Sequence, residues 1–169
     1  MADLKQLYRE LVSLEIELWN GIEGRLRAEY DLPLTWFEVL HLLLRRPGRR
    51  IQDIAEEFSI TVGGTSKVVD RLESAGLCER RANPNDRRSS VVELTSEGRK
   101  RVDGALKAFE DELELRIGSV IPEKSVREVT AVLSTLRAAG RALDAERKAA
   151  GQTPGPGMRA PKQSGRPAS

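Results

Sequence analysis

Cysteine and histidine are almost missing from these 169 residues: there is one of each, Cys78 and His41. A single cysteine closes no internal disulfide, and one cysteine plus one histidine assemble no Cys/His zinc site, so no metal is expected. Long apolar runs are missing too. The uninterrupted apolar stretches span a few residues against the roughly 20 that a bilayer demands. The acidic start MADLKQLYRE lacks a secretory n-region, so a cytoplasmic chain without membrane partners is expected. Aromatics are scarce, at 4% against 32% charged residues, which favours amphipathic helices over a sandwich or barrel of many short strands. No glycine-rich phosphate loop follows a strand, and no nucleophile, base and acid form a readable set. The expectation is therefore no catalytic residues, no cofactor and no enzyme.

What the chain does have is a local basic excess hidden by a net charge of +2. Residues 1–44 hold four basic and eight acidic groups, residues 45–88 ten and seven, residues 89–149 eleven of each, and residues 150–169 three and none. Four arginine pairs punctuate the middle block: Arg45/Arg46, Arg49/Arg50, Arg80/Arg81 and Arg87/Arg88. Such clustering is the footprint of a polyanion partner, or simply a solvated surface.

Periodicity organises the rest. Leu4, Leu7, Leu11, Leu14, Leu18 and Ile22 recur at spacings of three and four, so a long helix from Asp3 to about Tyr30 carries one apolar stripe that wants a partner. Gly21 and Gly24 predict a kink or a close helix contact. Asp31-Leu32-Pro33 ends that helix, and Thr35 with Glu38 has capping-box spacing for a second, ended by Pro47-Gly48. Two short helices follow, about 51–58 and 61–75, joined by a very short turn, with Thr61 as N-cap and Gly76 just past the end. Tightly linked in this way they form a helix-turn-helix. Gly64, Ser66, Lys67, Asp70 and Arg71 occupy the polar face of the second.

After Gly76 the period changes. Residues 77–81 and 89–94 read as short strands around a turn-rich segment ending in Arg87-Arg88, a hairpin with a basic tip. Thr95 opens another helix with Val102, Leu106, Phe109, Leu113 and Ile117 on one side. Pro122 opens the last, whose Val126, Val129, Leu133, Leu136, Gly140 and Leu143 form a heptad-like seam. Residues 151–169 read as a disordered, basic Pro/Gly-rich tail.

A helix-turn-helix followed by a basic hairpin is the order of a winged helix. Small polar side chains on the second helix suit the major groove, and wing arginines suit the narrow minor groove beside it. Gly63 and Gly64 either let backbone N–H groups approach a phosphate or mark a weak helix start.

On these residues the chain resembles the MarR family of bacterial winged-helix transcription regulators, over residues 1 to about 148. Asp86-Arg87-Arg88-Ser89-Ser90-Val91-Val92-Glu93-Leu94-Thr95 matches that family's wing signature of Asp, any residue, Arg, three residues, Val, any residue, Leu-Thr. Ile51 to Ala55 and Val68 to Leu77 look like its two DNA-domain helices. The resemblance implies a mainly α fold with a small β-hairpin wing. It implies a dimerisation helix over residues 1–34, a winged helix-turn-helix DNA-binding domain over 35–95, and C-terminal helices over 96–150 completing the dimerisation domain. It also implies an obligate homodimer that binds double-stranded DNA at a pseudo-palindromic operator and represses transcription until a small-molecule effector binds.

The expected DNA contacts are Thr61, Gly63, Gly64, Ser66, Lys67, Arg71, Arg87 and Arg88, with Asp70 and Asp86 positioning wing arginines by ion pairing. Where many family members begin the recognition helix with Ser-Pro, this chain has Thr61-Val62-Gly63-Gly64, so base preference does not transfer. An architectural protein that coats DNA without sequence preference is the competing expectation, and a winged helix facing a protein partner is another.

Three residues carry a ligand expectation. Trp19 and Trp36 either line a cleft for an aromatic effector or belong to the core. His41 is either packed or a ligand and pH-sensing group. Cys78, beside Arg80 and Arg81, is either a buried inert thiol or a peroxide sensor.

Overall fold

The computed structural model describes residues 3–84 and 86–151, with the Arg87 side chain left outside. The expected disordered tail therefore lies outside the described residues from position 152 onward. The elements are α1 (Leu4–Tyr30), α2 (Leu34–Arg45), α3 (Ile51–Glu57), α4 (Val62–Ser74), β1 (Cys78–Asn83), β2 (Asp86–Leu94), α5 (Ser96–Leu113) and α6 (Glu123–Ala149), with α5 continuing into a π-helical turn over Glu114–Gly118. By packing the chain divides into two units, residues 1–126 and 127–169. The first holds the hydrophobic core. The second, as far as it is described, is the remainder of α6 and Ala150-Gly151.

The core follows from periodicity. In α2, Leu34, Phe37, Leu40 and Leu43 are withdrawn from solvent on one side and Val39 on another, which makes it the central helix of the first unit. Around it, Leu26 of α1, Ile54 of α3, Val69 and Leu72 of α4, Val92 of β2 and Val102 of α5 are fully buried. Each such side chain stabilises the fold by about 1.5–3 kcal/mol before entropy is subtracted. Polar caps set the boundaries. Asp3 Oδ1 accepts the N–H groups of Lys5 and Gln6 to begin α1, and Asp31 in the left-handed region (φ 48°) ends it. Thr95 begins α5 by accepting the Gly98 N–H at 3.0 Å while its hydroxyl donates to the Gly76 carbonyl at 2.6 Å.

Two local expectations are corrected, and a third is resolved between its alternatives. Thr35 does not cap α2: the helix begins at Leu34 directly after Pro33, and its leading N–H, on Leu34, donates to Glu23 Oε2 of α1 at 2.5 Å. Pro33 occupies the N-cap position with an extended backbone (φ −58°, ψ 141°) and offers no side-chain acceptor, so a carboxylate from another helix replaces the local cap. In α1 the glycines sit within one uninterrupted helix. Gly21 provides the close approach instead, since a Cβ there would collide with the Arg116 guanidinium. The hairpin strands run further toward the tip than the apolar pattern alone predicts. Asn83 pairs with Asp86 across a bulge at Ala82/Asn83, and the Asn83 side-chain amide donates to Ser89 Oγ at 2.9 Å.

Candidate nucleic-acid interface

The helix-turn-helix is built from local chemistry. α3 starts with Asp53 reaching back to the Arg50 N–H at 3.0 Å, and the same carboxylate receives the Arg50 guanidinium at 2.8 and 3.2 Å. That guanidinium holds the Asp53 carboxyl below its ordinary range. Phe58 closes α3, and Ser59 turns the chain with φ at 54°, an uncommon conformation for a residue with a side chain. Ile60 N–H then donates to the Ala55 carbonyl, which fixes the turn. Thr61 caps α4: its Oγ1 accepts the Gly64 N–H at 3.1 Å. Thr65, Val69 and Leu72 face the core, and the Thr65 hydroxyl is satisfied by the Thr61 carbonyl at 3.1 Å.

The outward side of α4 therefore presents Gly63, Gly64, Lys67, Asp70 and Arg71, with Ser66 half-buried at its edge. The two glycines differ. A Cβ at Gly64 would press on the capping hydroxyl of Thr61 at 3.1 Å, whereas a Cβ at Gly63 would meet nothing within 4 Å.

Asp70 and Glu73 of α4 both hold the guanidinium of Arg80 on β1, Asp70 at 2.5 Å, and Glu73 also accepts the Arg80 backbone N–H at 2.9 Å. Asp70 thus pairs with an arginine at the base of the wing. Asp86 accepts the Arg88 backbone N–H on Oδ1 at 3.0 Å, so its contact among the described side chains shapes the turn and is not an ion pair. The hairpin gains a third edge where the Val92 N–H donates to the Arg49 carbonyl at 2.7 Å.

Charge pairing sorts the arginines. Arg46 pairs with Glu57, Arg50 with Asp53, Arg80 with Asp70 and Glu73, and Arg81 with Glu79 and Glu93. Lys67, Arg71 and Arg88 are exposed and have no ion-pair partner among the described residues, and half-buried Arg49 has none either. Unpaired cations on a helix and a wing are free to pair with phosphates without first giving up an internal ion pair. Sequence reasoning singled out Lys67, Arg71 and Arg88 but passed over Arg49 and Arg80. The signal for both was present in the doubled arginines, and only the fold shows that Arg49 has no ion-pair partner among the described residues while Arg80, like its neighbour Arg81, is paired internally. Arg87, also expected to touch DNA, has its side chain outside the described residues.

A family model described as "MarR family" matches residues 30–89. The multiple antibiotic resistance protein MarR of Escherichia coli is 30% identical over 104 residues, 58% of this chain and 72% of that protein. The chain belongs to the MarR family. The HTH-type transcriptional regulator YfiV of Bacillus subtilis is 31% identical to it over 118 residues, 70% of this chain and 71% of the relative. A crystal structure of Sco3205, a MarR family regulator of Streptomyces coelicolor in complex with DNA, superposes with a TM-score of 0.74 at 19% identity, over 81% of this chain and 87% of that one. The fold is thus a mainly helical MarR-type winged helix. The chain is a DNA-binding transcriptional regulator and not an enzyme.

In this MarR-family chain the three expected ligand residues do not meet. Trp36 lines a cleft of about 380 Å³ with Arg27, Asp31, Pro33, Leu77 and Arg101. His41 lines a smaller one of about 180 Å³ with Phe37, Arg45, Phe58 and Phe109. Trp19 lines neither and packs half-buried at the edge of the core. Trp36 and His41 are five residues apart, which on an α-helix places them about 140° apart around the axis, so one cleft cannot hold both. His41 lies against Phe37 with ring centroids 5.5 Å apart, and burial together with the Arg45 charge lowers its pKa. Cys78 is 2% exposed, its thiol lies 3.8 Å from the Val69 carbonyl, and burial pushes its pKa up to about 11. Such a thiol is protonated and shielded, the reverse of what a peroxide sensor needs.

Proposed function

We propose that the chain acts as a homodimeric repressor on a pseudo-palindromic operator, with residues 1–34 and 96–150 forming the dimer and residues 35–95 contacting DNA. The observation that carries the dimer is the N-terminal half of α1, where Leu4, Leu7, Tyr8, Leu11 and Leu14 share one face and are all exposed. A contiguous apolar stripe of this length on one helix is the mark of a surface that a second chain covers. α6 repeats the pattern in its own unit with Val129, Val132, Leu133, Leu136 and Leu143.

On DNA, α4 enters the major groove with Thr61, Gly63, Gly64, Ser66, Lys67 and Arg71, and the wing brings Arg87 and Arg88 to the neighbouring minor groove. Asp70 acts indirectly, through Arg80, and Asp86 through the turn before Arg88. Two-fold symmetry places the two recognition helices about 34–36 Å apart, so half-sites are centred roughly 10 base pairs apart. A small molecule in the Trp36 or His41 cleft releases the operator by favouring a different spacing of the two helices.

Affinity selection of the purified protein from random duplex DNA tests this reading. An inverted repeat with half-sites about one turn apart is the expected product. Salt-sensitive binding without an enriched sequence would make the protein an architectural DNA binder instead.

A further inference from the structure

The start of α4 carries a feature that its own fold does not use. Val62 is 53% exposed and is the one large apolar side chain exposed on this helix, with Ile60 beside it in the turn at 44%. Gly63 follows with open space where a Cβ would be. A β-branched residue and a glycine are poor choices for an exposed helical turn. Neither choice is required by packing or by backbone geometry: Gly63 has no positive φ, Val62 touches no core, and the cap is supplied by Thr61 and Gly64. Single exposed apolar residues are ordinary. One set beside a bare backbone position, on the leading turn of the helix that reads DNA, is a surface shaped for something outside the chain. The polar part of the same helix, Lys67 and Arg71, lies one or more turns further on.

Resting on the DNA reading above, we propose that Val62 reads the C5-methyl group of a thymine in each half-site, and that Gly63 is the point of closest approach of α4 to the major-groove floor. The methyl of thymine is the apolar mark that distinguishes that base in the major groove, and N-terminal residues of a recognition helix are those that reach base edges. With no side chain at Gly63, the helix moves inward far enough for the short Val62 side chain to touch that methyl. Operator half-sites therefore contain a thymine whose methyl is read, where a serine or arginine at position 62 would have sought a hydrogen-bonding edge.

The test uses the full chain and the operator recovered by selection, with each thymine of a half-site replaced in turn by deoxyuridine, which removes the methyl alone. Wild type loses about four-fold affinity at one position, the value of burying one methyl-sized group, and V62A loses none there. G63A binds the intact operator at least about ten-fold more weakly while its Tm rises, because alanine suits an open helical position better than glycine. That opposite movement of stability and affinity is what a structural role for Gly63 would not produce. An enriched operator that ignores every thymine-to-deoxyuridine change, or V62A that responds as wild type does, overturns the methyl reading while leaving the regulator intact. G63A binding with wild-type affinity overturns the close approach. If selection enriches no sequence, the inference falls together with the reading on which it rests.

Discussion

Arg88 and Arg80 share a chemistry and differ in what surrounds them. Arg80 is held by two carboxylates of α4, so its charge is spent on joining the wing to the recognition helix. Arg88 is exposed at the wing tip without a described ion-pair partner, so its charge is available to DNA. R88A is expected to lower operator affinity about ten-fold with Tm unchanged, as read by fluorescence anisotropy and thermal melting; wild-type affinity would remove the wing tip from the interface. The Cys78 thiol, shielded and raised to about 11, should resist alkylation at pH 7–8 until denaturant opens the fold. Labelling at the native rate of an exposed thiol would contradict that burial.

His41 makes a pH prediction whose sign is fixed by its surroundings. Burial and Arg45 favour the neutral ring in the folded chain, so its folded pKa lies below the ordinary histidine value. The unfolded chain then takes up the proton first as pH falls. Stability contributed by the neutral ring is complete above the ordinary value near 6.5 and declines as pH drops below it. H41F should therefore lose less stability than wild type between pH 7.5 and 5.5 in chemical denaturation, and equal losses would show that the ring titrates freely.

At the scale of elements, the start of α4 leans on a single side-chain cap. Its first turn is Val62-Gly63-Gly64, which has little helix propensity, and Thr61 supplies the cap. T61A should cost about 1 kcal/mol, seen as a fall in Tm of about 2–4 °C for a chain of this size, and should weaken DNA binding as the leading turn frays. An unchanged Tm would mean that tertiary contacts alone hold that turn. This cap was legible in the sequence because donor and acceptor lie three residues apart. The start of α2 was not, because its acceptor is Glu23 on another helix, eleven residues earlier. The same distinction runs through the site. The α4 face and the wing follow from short-range periodicity, whereas the pairing of Arg80 with Asp70 and Glu73, and the separation of Trp36 from His41 into two clefts, depend on which elements pack together.

For the whole molecule, the exposed apolar half of α1 and the cation-bearing face of α4 and the wing fit the proposed pairing of two chains, in which two such faces meet one stretch of DNA. Introducing a charge into the stripe with L7E should shift the protein from dimer to monomer in sedimentation equilibrium. It should leave the helical signal largely intact, since Leu7 is exposed in the single chain. A dimer that persists through L7E and a matching L14E would place the interface elsewhere.

The arrangement is tested most directly by geometry on the DNA itself. Five base pairs inserted between the half-sites of the selected operator rotate one half-site by about half a helical turn, out of reach of the second recognition helix. The account predicts that affinity falls to that of an operator with one half-site destroyed. Undiminished binding to the lengthened operator would contradict a rigid two-fold regulator.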